Sequence, residues 1–478
     1  MRTTLAVLNK KGDEALTAAF EVIQSLASDA KECSGVSAPN ILVFEEGVSH
    51  LRNKSRSPVA IASIFSESGQ RDQIQLMKLE DSAFAFEGRI YSPKTRTPVA
   101  ETIAKKPKQE RQKAIESLLR KTEGDFYLVI AELDRILAAR DPIGVQPFYY
   151  GENDIYAAFG SNRKAIWKLG IQRIKSFPPG HIVTASREGF KFTPIKTLTC
   201  PETKLRTMEN AALNLQKLLE RSVHLRVRDT KEVAVAFSGG LDSSIVAFLA
   251  KKCGASVHLV HVSLENQAET ELAKRAAEEL KLPLIVHLFQ EEDVMKVAAE
   301  VVKIIEEPDP VKLAIGIPFY WAAQKTIEAR LKVLLAGQGA DELFGGYQRY
   351  VNEYRLHGER AAKQTMFEDV TRIYESNLER DKKICIFHNV ELRLPFATYP
   401  IAMFATSLPI NLMIEAKTNS LRKLVLRKVA ENLGLPTGIV NKPKKAIQYT
   451  TGINKALKKL AKKKKIPLDK YVNLLFMG

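Results

Sequence analysis

The amino-acid sequence predicts an α/β protein whose first 200 residues are organised differently from the rest. Short apolar runs separated by turn residues fill the first part, as in "PVAIASIF" and "GHIVTASREGFKF". Later, apolar runs alternate with segments of helical periodicity, from "EVAVAFSG" to "PLIVHLF". That alternation is typical of a doubly wound parallel sheet. The sequence therefore predicts an α+β domain over 1–200 and a parallel α/β domain over 205–478.

Length and composition agree with two globular domains. A chain of 478 residues exceeds what one hydrophobic core usually organises, and its hydrophobic and charged fractions, 45% and 27%, are ordinary. No apolar run approaches the roughly 20 residues that span a bilayer. The N-terminal "MRTTLAVLNKKGDEAL" lacks the long apolar core of a signal peptide. We expect a cytoplasmic protein that does not bind a membrane.

Cysteine usage excludes two further classes. Cys33, Cys200, Cys253 and Cys385 are far apart in the sequence and never form a Cys-x-x-Cys pair. This spacing argues against a zinc site and against a disulfide framework. The sequence therefore predicts buried thiols.

Two local patterns mark the passage from the first domain to the second. In the first domain, "FYLVIAELD" and "RILAARD" predict a hairpin that turns around Asp134 and Arg135. The second domain opens with "TMENAALNLQKLLERSVHLRVR", whose apolar residues recur at helical spacing. We expect a long helix there, before the first parallel strand.

The stretch "VAVAFSGGLDSSIVAFLA" predicts an anion-binding turn. A strand ends near Phe237, a Ser-Gly-Gly turn follows, and a helix begins near Asp242. Glycines allow close backbone approach and positive φ, while a helix N-terminus carries partial positive charge. A carboxylate beside bound phosphates requires a cation between them, so Asp242 indicates Mg²⁺. Asp242 as a plain helix N-cap is the alternative.

A second glycine-rich stretch, "VLLAGQGADELFGGYQRY", supplies another carboxylate. A buried strand is predicted at "VLLAG", and the glycines that follow permit tight backbone approach. Asp341 then lies at a second strand end, where it can share one Mg²⁺ with Asp242. The alternative is that Asp341 and Glu342 are surface charges of a loop.

These two stretches resemble known families. "SGGLDSS" resembles the pyrophosphate-binding loop of N-type ATP pyrophosphatases, and Val333 to Tyr350 is similar to the signature of the asparagine synthetase family. The resemblance implies an adenine nucleotide alpha hydrolase-like fold, ATP and Mg²⁺. It implies metal ligands at Asp242 and Asp341 and catalytic roles for Gln338, Asp341 and Glu342. The residues that it implies to hold the nucleotide are Ser238, Gly239, Gly240, Leu241, Asp242, Ser243, Ser244, Gly337 and Gly339.

Two later strings extend the resemblance over residues 205–452. "RDKKICIFHNVELRLPF" resembles the family's Arg-Asp helix and Glu-x-Arg-x-Pro-Phe run, although Lys382 replaces the usual second aspartate. Asp381, Glu391 and Arg393 are thereby implied to surround the substrate, with a buried structural salt bridge as the alternative for the last two. "NKPKKAIQYTTG" resembles the family's lysine-rich loop. Lys444, or else Lys445, is implied to stabilise charge on the transferring phosphate.

The first 200 residues resemble a class II glutamine amidotransferase domain of the Ntn type, an α+β sandwich. "EGDFYLVIAELDRILAARDPIGVQPFYY" carries this resemblance. The family's nucleophile is a cysteine directly after the initiator methionine, and that position is Arg2. Its Asn-Gly-Glu-Ile-Tyr run is "EGRIY", with Glu87 and Arg89 at the polar positions. We expect a degenerate domain that covers the synthetase site or closes an ammonia channel; Thr3 as nucleophile after trimming is the alternative.

The implied function is an ATP-dependent amide ligase that adenylates aspartate and uses ammonia. Gln338 stands where many glutamine-using relatives have glutamate, and its amide cannot take a proton from ammonium. One alternative is a related ligase that amidates or cyclises another carboxylate. Another, from a different class, is an ATP-binding regulatory or RNA-associated protein. A homodimer is compatible with the resemblance.

The net charge of +17 is concentrated in part near the C-terminus. The segment 453–466 carries seven lysines, with Ile453, Leu457 and Leu460 at helical spacing, and predicts a basic amphipathic helix. A solvated basic face is the plain interpretation. Contact with RNA, an acidic partner or a membrane is the alternative, although nucleic acid is not the partner that the motifs imply.

Overall fold

A computed structural model describes residues 3–26, 32–44, 56–66, 74–79, 81–94, 99–104, 106–202, 204–417, 421–443 and 451–478. The chain divides into two compact units, Met1–Thr197 and Leu198–Gly478. Within the described ranges, no helix combines the length and the apolar character needed to cross a membrane.

The first unit is built on two antiparallel sheets of seven and six strands. Their orders are β11-β9-β10-β1-β4-β2-β3 and β13-β12-β8-β7-β6-β5. The strands are β1 (Thr3–Asn9), β2 (Glu32–Ala38), β3 (Ile41–Phe44), β4 (Val59–Ser66), β5 (Ile74–Lys78), β6 (Ser82–Ser92), β7 (Glu123–Glu132), β8 (Arg135–Arg140), β9 (Tyr149–Glu152), β10 (Tyr156–Gly160), β11 (Ile174–Ser176), β12 (His181–Ser186) and β13 (Gly189–Pro194).

Three apolar clusters show how the first unit is layered. Ala6 and Val59 of one sheet pack with Tyr127 and Val129 of the other, which fills the space between the sheets. Separate clusters cover the outer faces with helices. These helices are α1 (Leu16–Leu26), α2 (Val99–Ala104), α3 (Lys108–Lys121) and α4 (Arg163–Trp167). The predicted hairpin is present as β7 and β8, with Glu132 opposite Arg135.

The second unit contains a five-stranded parallel sheet of order β16-β15-β14-β17-β18. Its strands are β14 (Glu232–Ala236), β15 (Ser256–Leu264), β16 (Leu284–Phe289), β17 (Val333–Leu335) and β18 (Glu391–Arg393). Val235 and Leu334 are fully buried, as expected for a parallel sheet covered on both faces. The predicted fold class, with parallel strands after residue 205, is therefore confirmed.

Helices follow most of these strands. They are α5 (Met208–Val227), α6 (Leu241–Lys252), α7 (Ala268–Leu280), α8 (Glu291–Ile305), α9 (Pro310–Glu328), α10 (Ala340–Phe344), α11 (Gln348–Thr371), α12 (Glu379–Phe387), α13 (Tyr399–Thr406), α14 (Leu424–Asn432), α15 (Thr437–Val440), α16 (Ile453–Lys463) and α17 (Leu468–Met477). A π-helical turn, Tyr374–Leu378, precedes α12. The predicted long helix is α5, and the predicted basic helix is α16.

The expectation of buried thiols is wrong for Cys200 and only partly met by Cys253. Cys385 is buried in α12, but Cys200 is exposed and Cys253 is partly exposed at the end of α6. Cys200 lies in the connection between β13 and α5. The spacing of cysteines in the sequence does not show whether such a connection is buried. The side chain of Cys33 lies outside the described residues.

Candidate active site

The turn between β14 and α6 has the geometry of an anion site. Gly239 adopts a positive φ of 63°, and a Cβ there would lie 2.8 Å from the backbone Cα of Ala273. Gly240 is the N-cap of α6 and has no side chain to occupy the helix N-terminus. Ser238 and Ser243 place their hydroxyl oxygens 3.4 Å apart across the turn. The helix N-terminus is thus open to an anion.

Not every residue of this turn faces outward. Leu241 is 7% exposed, and the side chain of Ser244 is fully buried. The backbone N–H of Ser244 donates to the Gly240 carbonyl at 3.1 Å. Ser238 is exposed and Gly240 is partly exposed, whereas Gly239 and Ser243 are buried like Leu241 and Ser244. Ser238 and Gly240 are therefore the residues of this turn that are accessible to an anion.

The turn after β17 lies beside this one because β14 and β17 are paired in the sheet. Gly337 packs against the first turn of α6, where an added Cβ would lie 2.8 Å from the Asp242 Cβ. Asp341 lies in the first turn of α10, which begins after Gly339 with a φ of 93°. Glycine is required at both positions, by contact at the first and by conformation at the second.

Lys423 joins the two predicted metal-binding carboxylates. Its ammonium nitrogen lies 2.6 Å from Asp242 Oδ2 and 2.7 Å from Asp341 Oδ1. The lysine side chain is 2% exposed, and the backbone of Lys423 has a left-handed φ of 61° at the start of α14. Two carboxylates from adjacent strand ends therefore converge on one cationic group, as Asp242 and Asp341 were predicted to do around a metal.

The glycines around Asp341 shape this carboxylate pair. A Cβ at Gly346 would lie 1.9 Å from Asp341 Oδ1 and 2.5 Å from the Lys423 Cε. The Gly346 N–H also donates to the Asp341 carbonyl at 2.7 Å. Any larger residue at Gly346 would displace the carboxylate from its shared cation, which explains a glycine at this position of "ELFGGY".

Gln338 and Asp381, both predicted site residues, contact each other directly. The Gln338 amide donates to Asp381 Oδ2. Asp381 Oδ1 also accepts a hydrogen bond from Arg380 Nε at 2.7 Å. Burial raises the pKa of Asp381, while Arg380 and Gln338 act in the opposite direction. Asp381 therefore fixes the Gln338 amide, whose Oε1 is the atom left to accept another hydrogen bond.

Glu342 is buried next to Asp341 but bonds elsewhere. Its Oε1 accepts from the Tyr347 hydroxyl and from the Asn377 amide, both at 2.6 Å. Burial, and then the neighbouring Asp341, raise the pKa of Glu342. These contacts anchor α10 to the chain that follows it, which gives Glu342 a positioning role.

Glu391 and Arg393 form a buried ion pair. Arg393 Nε lies 2.9 Å from Glu391 Oε1, and Arg393 Nη1 lies 2.6 Å from Asp229 Oδ1. The same guanidinium donates to the Arg226 carbonyl at the end of α5. The pair thus ties β18 to the end of α5. Lys382, at the departure from the family pattern, donates to the Leu392 carbonyl at 2.9 Å.

The lysine-rich loop reaches the anion-binding turn at its first lysine. Lys442 Nζ donates to the Gly239 carbonyl at 3.1 Å. Lys444 and Lys445 lie outside the described residues, so their predicted roles stay predictions. Lys423 is the site residue that the sequence analysis missed. The run "LRKLVLRK" contains four basic residues, and no periodic signal marks the one that is buried.

In the first unit, the predicted glutamine-binding position is closed. Glu87 is 4% exposed on β6 and accepts from the Tyr127 hydroxyl across the strand pair. Burial and the Glu87 charge raise the pKa of Tyr127, so the phenol remains the donor. Thr3 is buried in β1, where its hydroxyl accepts from the Asn162 amide at 2.8 Å. Arg2 lies outside the described residues.

Comparison with protein families agrees with both units. The asparagine synthase family matches residues 214–361 and 351–472, more than half of the chain. A glutamine amidotransferase domain matches residues 72–168. The chain is thus a two-domain ligase with an amidotransferase-like first domain. It belongs to the asparagine synthase family.

Individual relatives carry related names. A putative glutamine-hydrolyzing asparagine synthetase 1 of Methanocaldococcus jannaschii is 35% identical over 395 residues, which cover 73% of each chain. The glutamine-hydrolyzing asparagine synthetase 1 of Arabidopsis thaliana is 26% identical over 69% of this chain and 57% of its own length. The chain thus spans little more than half of the plant relative.

Solved structures add little. A glutamine phosphoribosylpyrophosphate amidotransferase from B. subtilis is 13% identical and covers 59% of this chain and 65% of its own. Its TM-score of 0.33 is too low to support an argument about fold or function.

Proposed function

We propose that this protein is an ATP-dependent amide ligase that converts aspartate to asparagine with ammonia as nitrogen donor. The observation that carries the proposal is the convergence of Asp242 and Asp341, from adjacent strand ends, on a single cationic group beside an open helix N-terminus. A nucleotide whose phosphates lie on that turn has its negative charge next to a cation held by both carboxylates.

The donor set fits Mg²⁺. Magnesium prefers oxygen ligands and is usually held by one or two carboxylates together with substrate phosphates. Asp242 and Asp341 supply two such carboxylates, and no cluster of three or more metal-ligating side chains occurs among the described residues. When bound, Mg²⁺ would neutralise charge on the phosphates. The Lys423 ammonium contacts the same two carboxylates.

The reaction that these groups support has two steps. The aspartate β-carboxylate attacks the α-phosphorus of ATP, and pyrophosphate leaves towards the Ser238–Gly240 turn. Ammonia then attacks the activated carbonyl, and AMP departs with the electron pair of the broken carbon–oxygen bond. Lys444 is proposed to stabilise negative charge on the transferring phosphate.

Gln338 is proposed to position the nitrogen nucleophile. Its amide nitrogen is bound to Asp381, so its Oε1 can accept a hydrogen bond from ammonia. It cannot act as a base. The nitrogen must therefore arrive as neutral ammonia, and the proton that it loses on becoming an amide must go to another acceptor or to water. The rate should rise with pH as more ammonium is deprotonated.

We also propose that the first domain does not hydrolyse glutamine. Residue 2 is arginine, whose side chain cannot supply the thiol nucleophile of the family. Glu87 is buried and bonded to Tyr127, so its carboxylate is not free to bind a glutamine substrate.

The test is amide formation from aspartate and ATP with either ammonium chloride or ammonia-free glutamine. We expect asparagine, AMP and pyrophosphate with ammonium and no amide with glutamine. One glutamate formed per amide would contradict the donor assignment. AMP release with neither donor giving amide would instead show that the acceptor is another carboxylate. AMP release measured with a panel of carboxylates, including peptides and specialised metabolites, would then identify the acceptor.

A further inference from the structure

The C-terminal segment concentrates positive charge that the proposed chemistry does not use. Residues 453–478 contain eight lysines and one aspartate. This segment therefore contributes a formal charge of +7 to the chain's +17, in about one twentieth of its length. Its lysines are far in sequence from the carboxylate pair and the anion-binding turn.

The structure separates this segment into an apolar side and a lysine side. In α16, the buried residues are Ile453, Ala456, Leu457 and Ala461, and the helix packs on α8 and α9. The exposed side carries Lys455, Lys458, Lys462 and Lys463, followed by Lys464 and Lys465 in the turn before α17. We call these six lysines the lysine face.

The lysine face is not neutralised from within the chain. Lys459, which belongs to the same helix, pairs with Glu291 of α8 at 2.6 Å. Among the described residues, none of the six lysines of the face has an ion-pair partner. Lys458 and Lys462 are four residues apart, a spacing at which like charges repel on a helix. The negative end of the α16 dipole offsets part of this repulsion at Lys462 and Lys463.

The buried apolar side decides which kind of partner fits. A helix that binds a membrane surface needs a free apolar face to insert, and the apolar face of α16 is already packed against α8 and α9. What remains outside is a row of ammonium groups. Ammonium groups bind phosphate as point charges, without the paired geometry that arginine offers.

We propose that the lysine face binds the phosphate backbone of a nucleic acid, without base specificity. The 11 residues of α16 extend over about 16 Å, a length along which duplex DNA carries roughly one negative charge per 1.7 Å. Several lysines can therefore contact phosphates at once. Binding of this type releases counterions and weakens steeply as salt concentration rises.

The experiment measures fluorescence anisotropy of a labelled DNA duplex and a labelled RNA strand with the full-length protein at about 50 and 200 mM salt. The lysine-face variant changes Lys458, Lys462, Lys463, Lys464 and Lys465 to Gln. The matched control changes Lys11, Lys113, Lys121, Lys175 and Lys191 to Gln, five exposed lysines of the first unit. Both variants remove the same net charge.

We expect the native protein to bind either probe at low salt, with dissociation constants in the range of about 1 to 100 µM. The lysine-face variant should bind at least about tenfold more weakly and with a shallower salt dependence. The control should differ from the native protein by less than about twofold. Unchanged melting temperature and amide formation would establish that the lysine-face variant is folded.

Three results would overturn the proposal. The first is absence of binding by the native protein at low salt. The second is an equal loss of binding in both variants, which would indicate a response to net charge alone. The third is preference for a different polyanion, seen as binding to phosphatidylserine vesicles or to polyglutamate more tightly than to either nucleic acid.

Discussion

Both units are built on well-packed sheets, but they differ in the residues at the positions where the family resemblance implies chemistry. In the second unit, Asp242 and Asp341 converge on the ammonium of Lys423, and glycines leave room around them. In the first unit, Glu87 accepts a hydrogen bond from the Tyr127 hydroxyl, and the Thr3 hydroxyl accepts one from the Asn162 amide.

The difference shows that a buried sheet core and a reactive site are specified by separate residues. The first unit retains three apolar clusters around its two sheets. Glu87 and Arg89 belong to none of these clusters. The second unit has both a buried sheet and a set of charged groups, Asp242, Asp341 and Lys423, that converge where adjacent strands end.

The largest expected effect is on the carboxylate pair. Asp242→Asn or Asp341→Asn should lower AMP formation by at least about 100-fold, because each removes a main electrostatic contact to the cation beside the phosphates. The measurement is AMP release at saturating ATP, with circular dichroism to check folding. Glu431→Gln, which breaks a surface pair with Lys428, should have no such effect. Normal turnover in Asp242→Asn would refute its assignment as a metal ligand.

The next effect concerns Lys444. Lys444→Ala should lower kcat by about 10- to 100-fold and change the apparent KM for ATP much less, because its contact is expected only in the transition state. Steady-state kinetics on Lys444→Ala and Lys445→Ala would separate the two candidates. A change confined to KM would make Lys444 a residue that only binds ATP. A larger loss of kcat in Lys445→Ala would assign the stabilisation of the transferring phosphate to Lys445 instead.

A smaller, pH-dependent effect is expected for Gln338→Glu. The new carboxyl would face Asp381, whose pKa burial already raises, and the like charge would raise it further. Two raised carboxyl pKa values mean that the folded state holds extra protons, so stability is present at low pH and is lost as pH rises through them. The melting temperature of the variant should therefore fall relative to the native protein as pH rises from about 5 to 8.

Gln338→Met provides the control for this substitution. It removes the hydrogen bond that lowers the pKa of Asp381 but adds no titratable group, so its melting temperature should fall with rising pH less steeply than that of Gln338→Glu. A parallel pH dependence in Gln338→Met would show that Asp381 alone is responsible.

The smallest effect on activity is expected in the first unit. Tyr127→Phe leaves Glu87 buried without its hydroxyl donor and should cost about 1 to 3 kcal/mol of folding free energy. Ammonia-dependent amide formation should be unchanged at a temperature where the variant is folded. Tyr156→Phe is the control, because among the described residues its hydroxyl forms no hydrogen bond. A strong loss of amide formation in Tyr127→Phe would show that the first unit takes part in catalysis.

Much of the candidate site was predictable because its motifs are local. Strand, turn and helix succeed one another within residues 232–252, and positive φ at Gly239 is a requirement of that turn alone. Asp242 and Asp341 were predicted to meet because parallel neighbouring strands end at the same edge of a sheet. The hairpin of β7 and β8 was also predictable from local sequence, because two apolar runs are separated by a short turn.

The sequence by itself determined the fold class, the family and the pairing of Asp242 with Asp341, since each rests on short-range pattern or on the geometry of a parallel sheet. Only the tertiary structure decided that Lys423, 181 residues from Asp242, lies between the two carboxylates. It also decided that Arg393 bonds Asp229, 164 residues away, and that Glu342 faces Tyr347 and Asn377. Such contacts depend on how helices pack after the sheet has formed, and neighbouring basic or acidic residues carry the same local signal whether they end up buried or exposed.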